Sequence, residues 1–228
     1  MQNAVGLHQC TPMKCGPTPC LALYLQMNDQ PFLLLLMIAA SVYVARLWLD
    51  DYRAGIAGKP HPRALPGATP VPWRGILIAM VGTLVLLALE TWGEIHLGVA
   101  GEQSRITVLF GLYTLAAAVI EDLIFRGYLV ITHRGPAVRW AGIVGASLLF
   151  AGLHPFLWKW EDGLVWTIGL KGWFSTAAIF LGSLWFYTVR FASWNPNHSL
   201  LPCFAAHATK NLGVIAIKAI QGFLVGWW

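Results

Sequence analysis

TLAAAVIEDLIFRGYLV, from Thr114 to Val130, sets a glutamate, an aspartate and an arginine into a run that is otherwise apolar. An ionisable group in hydrocarbon costs about 2.5 to 3.5 kcal/mol on insertion scales, so each one must be paired, hydrated or used. Asp122 and Arg126 are four apart, so on a helix they share a face with the acid before the base, the favoured order for an ion pair. Glu121 is turned away from that pair by about 100 to 140° at 3.6 residues per turn. It is left over once the charges are matched, and can face a cavity. The plain alternative is that all three residues only lock helices together.

The context that makes these charges costly extends along the chain. Of 228 residues, 57% are hydrophobic and 11% charged, where an ordinary soluble domain has about 25% charged. Apolar runs lie at 31–49, 75–92, 106–131, 140–157, 172–189 and 200–218, with a short one at 219–228. At about 20 residues per transmembrane helix, this pattern predicts an all-α, polytopic transmembrane helical bundle of about six to seven spans. No long polar stretch supports a separate soluble domain. The net charge of +5 comes from scattered Lys and Arg rather than a basic stripe with interleaved aromatics. The expected surroundings are therefore a lipid bilayer, with no nucleic acid.

Residues 1–30 read as an irregular leader. They hold Pro12, Pro17 and Pro19 with Cys10, Cys15 and Cys20, and lack the basic start and apolar core of a cleavable signal. Met27 opens MNDQPFLLLLM, itself a workable start for a membrane protein, so the leader need not belong to the native product. Residues 31–104 hold two spans joined by a basic, cytoplasmic loop, KPHPRALPGATPVP, whose prolines forbid a regular helix. A core follows at 105–215 and an apolar tail at 216–228. With alternating spans, Arg53, Lys59, Arg63, Arg74, Arg134, Arg139 and Arg190 share one side, which the positive-inside rule makes cytoplasmic; Lys14, Arg105, Lys159 and Lys171 fall on the other. Trp48, Trp73, Trp92, Trp140, Trp158 and Trp160 sit near span ends, as interfacial indoles do. Neither a disulfide framework nor a CxxC metal spacing is present, and Cys203 stands alone in a late apolar run.

Two histidines join the buried acids. His154 closes SLLFAGLH, four after Phe150, and Pro155 biases it away from helical geometry, so the helix ends or kinks there beside a wet cleft. His207 in LLPCFAAHATKNLG precedes Asn211 by four, which puts both on one face. A carboxylate, two imidazoles and a carboxamide on three spans form the set needed to activate water and stabilise an oxyanion. Lys210, about 100° round the helix from Asn211, and Lys218 read as residues whose heads snorkel to water.

These residues resemble the CAAX protease and bacteriocin-processing family, CPBP or Abi, whose signatures are Glu-Glu-x-x-x-Arg, Phe-x-x-x-His and His-x-x-x-Asn on separate helices. Here they read EDLIFR from Glu121 to Arg126, FAGLH from Phe150 to His154, and HATKN from His207 to Asn211. Gly127 and Tyr128 complete an FRGYL common after the first motif, and the likeness covers about residues 105–215. The second glutamate is Asp122, which keeps the charge and is one methylene shorter.

The resemblance implies an intramembrane glutamic endopeptidase acting on a membrane-associated protein or peptide. In it Glu121, helped by His154, activates water, while His207 and Asn211 bind the oxyanion, and Asp122, Arg126 and Phe150 support them. Prenylated CAAX proteins, bacteriocin precursors and C-terminal sorting tags are all substrates of such families, and a prokaryotic inner-membrane location is expected. No cofactor is expected. Zinc on Glu121, His154 and His207 is the rival within enzymology, since one carboxylate and two imidazoles can hold it with a fourth position open. A noncatalytic immunity or binding protein and a proton-relay transporter are rivals from other classes. The latter lacks the paired repeats of transport folds.

Overall fold

The computed structural model describes residues 30–160 and 163–228. The leader and its three cysteines therefore lie outside the described residues. Six long helices carry the fold: α1 Pro31–Ile56, α2 Trp73–His96, α3 Val108–Asp122, α4 Gly135–Leu153, α5 Leu170–Phe191 and α6 Leu201–Ile220. A short antiparallel hairpin, β1 Trp158–Trp160 with β2 Leu164–Trp166, joins α4 to α5.

Four segments are long and apolar enough to cross a membrane: α1, α2, α4, and α3 with its continuation to Tyr128. Only 17 to 33% of each apolar window is buried inside the protein, so most of its apolar surface needs a hydrocarbon solvent and not a core. α5 and α6, of 22 and 20 residues, are long enough and fall short in composition. The polar groups responsible on α6 are His207, Lys210, Asn211 and Lys218. The helix that carries half of the expected site is thus the one whose composition hides it.

The helices meet along narrow seams. α1 buries Leu34, Ser41 and Trp48, seven residues apart, and packs on α3. α2 lies on α5 and α6, α4 on α5, and α3 on α6. Small residues let the backbones close. A Cβ added to Gly82 would come within 2.1 Å of the Trp185 indole, and one on Gly213 within 2.2 Å of Leu87.

Two sequence expectations are corrected here. Trp48 is only 3% exposed, and its indole N–H donates to the Pro66 carbonyl at 3.0 Å, so it anchors the proline-rich loop instead of an interface. That loop is tied to the α5–α6 turn: Leu200 N–H donates to Gly67 O at 3.0 Å, and the Asn197 amide to Pro70 O at 2.8 Å. The last apolar run forms no span either, for after Ile220 the chain leaves the helix at Gly222 (φ +80°) and runs alongside Ile106. There the carbonyls of Gly226 and Trp227 accept the N–H groups of Val108 and Leu109. These are first-turn donors of α3 that have no partner within the helix.

Candidate active site

The site grows from the C-terminal end of α3. Beyond Asp122 the helix widens into a π turn, Leu123–Tyr128, in which Leu129 N–H reaches back five residues to Ile124 O at 2.8 Å. π turns are rare and concentrate at functional sites. The Tyr187 hydroxyl donates to the Phe125 carbonyl at 2.5 Å and lies 3.4 Å from that of Leu129, so α5 satisfies carbonyls that the widening frees.

Arg126 leaves this turn fully buried. One guanidinium nitrogen lies 3.1 Å from Asp122 Oδ1, as the spacing of four predicts, and another donates to Ser183 Oγ at 2.8 Å. Ser183 in turn donates to Ser147 Oγ at 3.0 Å. The guanidinium carbon stands 4.3 Å from the centroid of the Phe150 ring and 5.2 Å from that of Phe186, contacts that favour a desolvated cation. The Phe of FAGLH is therefore a wall for this charge, and its ring also touches His154 at 4.7 Å between centroids.

Asp122 is wholly buried, whereas the Glu121 side chain is 34% exposed, so adjacent acids face different surroundings. His207, projecting from α6, stands between them: Nδ1 is 3.4 Å from Asp122 Oδ1 and Nε2 is 3.7 Å from Glu121 Oε2. Both exceed good hydrogen-bond lengths, and they hold the imidazole in register without closing on it. Phe186 stacks under the ring at 4.9 Å.

At His154 the helix ends as Pro155 dictates: α4 stops at Leu153 and His154 is extended (φ −81°, ψ 123°). Its Nδ1 lies 2.8 Å from the Phe150 carbonyl. A carbonyl only accepts, so Nδ1 carries the proton and Nε2 keeps its lone pair. His154 lies near enough to Glu121 and His207 to feel their charge. It also lines a cavity of about 420 Å³ with Gly152, Leu157, Trp158 and Trp166, roofed by the hairpin.

Asn211 shares the face of His207, one turn on, and its amide donates to the Thr114 carbonyl of α3 at 2.9 Å. One amide hydrogen remains for another acceptor. The structure thus brings Glu121, Asp122, Arg126 and His207 into direct contact, links Phe150 and His154 through ring packing, and sets Asn211 along the α3–α6 seam. Among the described residues no group of three His, Cys, Asp or Glu side chains is close enough to hold a metal ion.

Sequence reading misassigned the lysines. Lys210 does not snorkel: it is buried and ion-paired with Glu90 of α2. Lys218 is also buried, donating to the Ser104 carbonyl at 2.6 Å. Glu90, and Glu94 paired with Lys171, are further acids within an apolar helix, so Glu121 and Asp122 are not alone there. Tyr187, Ser183 and Phe186 were also missed. Their spacing with Arg190 (183, 186, 187, 190) marks one helix face, a signal present in the sequence.

A mostly helical membrane protein with a buried acid–imidazole cluster at the junction of three helices is the class these features define. Residues 103–213 match the family model described as Rce1-like, type II CAAX prenyl endopeptidase. No curated protein and no solved structure matches the chain.

Proposed function

We propose that the protein is an intramembrane glutamic endopeptidase that hydrolyses a peptide bond of a membrane-associated protein or peptide. One observation carries the reading: Asp122 neutralises Arg126, leaving Glu121 partly open and 3.7 Å from the His207 imidazole. Glu121 takes one proton of a water molecule, the lone pair of His154 Nε2 accepts a hydrogen bond from its other O–H and orients it, and the water oxygen attacks the scissile carbonyl. His207 and the remaining Asn211 N–H receive the charge that develops on the carbonyl oxygen. Glu121 then returns the proton to the leaving amine, and the C–N bond breaks.

The family match supports peptidase activity, and the separation of roles between two adjacent acids supports the glutamic type. All six helices cross the bilayer in this reading, α5 and α6 through their packing on α2, α3 and α4. A prokaryotic inner membrane is the proposed location. No metal takes part. Metal analysis of active protein tests that clause, and stoichiometric zinc, with activity lost to a chelator and regained on adding metal, refutes it.

The test of the whole reading is cleavage of lipid-anchored peptides by purified protein in liposomes. Glu121→Gln removes the base and should lower the rate by about 10² to 10⁴-fold. Wild-type cleavage by folded Glu121→Gln protein ends the proposal.

A further inference from the structure

The hairpin between α4 and α5 moves no proton, yet it shares a cavity with the imidazole that orients the water. Trp158 pairs with Trp166, Lys159 with Val165 and Trp160 with Leu164. Opposed residues put their side chains on one face of a sheet and successive residues alternate between faces. Trp158, Trp160, Leu164 and Trp166 therefore form a single face, and all of them line the cavity of about 420 Å³ that His154 shares. Lys159 and Val165 fall on the other face. β1 is the anchored strand: the Trp158 indole N–H donates to the Gly152 carbonyl near the end of α4 at 2.8 Å. β2 is the open one. Leu164, Val165 and Trp166 are all exposed, and none is the charge or proline that blunts a sheet edge.

The register fixes which backbone groups that edge offers. Thr167 N–H donates to the Leu157 carbonyl at 2.8 Å, which makes Leu157 and Thr167 a hydrogen-bonded pair. Such pairs alternate with non-bonded ones along an antiparallel ladder. Lys159 and Val165 are therefore the next bonded pair, and the N–H and C=O groups of Leu164 and Trp166 point away from β1. They stand on the two β2 residues whose side chains face the cavity. Open sheet edges in a membrane protein are tolerated only against water, against protein or in a wet cavity, and one extended chain can meet both residues at once.

We infer that the peptide substrate binds as an added strand on β2, its backbone paired with Leu164 and Trp166 and its alternate side chains lowered into the tryptophan-lined cavity beside His154. This rests on the endopeptidase reading and adds to it the form in which the substrate is held. Main-chain pairing gives affinity that is indifferent to sequence, while pockets beneath alternate residues give selectivity. A strand added to β2 lies about 4.7 to 4.9 Å outside it, so its cavity-facing residues continue the row made by Trp158 with Trp166 and Trp160 with Leu164. The wall they meet is tryptophan and leucine, which suits large apolar side chains. Extension also serves the chemistry. A helical substrate keeps each carbonyl in a bond to the N–H four residues on, whereas a strand frees the one that the water must attack.

The experiment uses wild-type protein in liposomes and an N-terminally palmitoylated peptide pool randomised over its last eight positions, with products read by mass spectrometry. One member that the wild type cleaves and Glu121→Gln spares is made again as a series. Each peptide of the series has a single backbone amide replaced by an ester, at every position except the cleaved bond, which removes one N–H and keeps every side chain. The expected result is a fall in kcat/KM of about two- to tenfold at two positions that lie two residues apart, with little change at the residue between them. L164P removes an outward N–H at a strand edge, where proline is tolerated. It should cleave the parent peptide about two- to tenfold more slowly than L164A, which keeps that N–H. An ester series that is flat, or that falls without alternation, overturns the inference without needing any variant, as does folded L164P protein that matches L164A. Glu121-dependent cleavage that is indifferent to the esters keeps the endopeptidase reading and removes only the added strand. Absence of any Glu121-dependent cleavage removes both.

Discussion

Glu121 and Asp122 are adjacent in sequence and opposite in circumstance, one side chain a third exposed and the other sealed against a guanidinium. That division was legible because it is local: a spacing of four fixes the Asp122–Arg126 pair whatever surrounds it. Glu90 and Lys210 are 120 residues apart, and no local rule pairs them. Asn211→Ala should slow cleavage by about 10² to 10³-fold, the cost of one oxyanion donor. Losing its bond to the Thr114 carbonyl costs about 0.5 to 1.5 kcal/mol, so the thermal midpoint should move only slightly while the rate falls. Lys210→Met should act in the reverse sense. It strands a mostly buried Glu90 and should destabilise by about 3 kcal/mol, the lower end for a broken buried pair. The double variant Glu90→Leu, Lys210→Met should recover much of that in a thermal unfolding series in detergent.

At the scale of elements, the π turn is what the sequence did not disclose. EDLIFRGYLV reads as continuous helix, and its pattern of apolar residues is indifferent to one residue of widening. The device that holds it comes from α5, in the Tyr187 hydroxyl on the Phe125 carbonyl. Tyr187→Phe keeps the ring and leaves that carbonyl unmet, at a cost of about 1 to 3 kcal/mol. The expected fall in thermal midpoint is about 2 to 4 °C per kcal/mol for a chain of this size. Cleavage should fall as well, since the turn orients Arg126 and through it Asp122; unchanged activity would detach the turn from the site. The end of α4 was readable in advance, because Pro155 restricts the residue before it whatever the tertiary context. The Trp-rich hairpin that follows was not, for strands of three residues are too short to carry a pattern.

Over the whole molecule, composition reveals a membrane protein and undercounts its helices. The polar groups that would make α6 useful are the ones that lower its hydropathy, so α6, which holds two of the expected site residues, is not among the four helices apolar enough to cross a membrane. The six crossings we propose put Lys59 and Lys159 on opposite faces. In protein whose four native cysteines are replaced by alanine, Lys59→Cys and Lys159→Cys should react with an impermeant maleimide from opposite sides of sealed vesicles. Labelling of both from one side would contradict the six-span arrangement.

The carbonyls of Gly226 and Trp227 close the first turn of α3, thirteen residues ahead of Glu121 on the same rigid rod. Gly226 and Trp227 are thus a clasp on the helix that presents the acid, though they lie far from it in sequence. An affinity handle or reporter fused directly after Trp228 pulls on that clasp, and a cleavage assay run on such a fusion would register the loosened rod as lost chemistry.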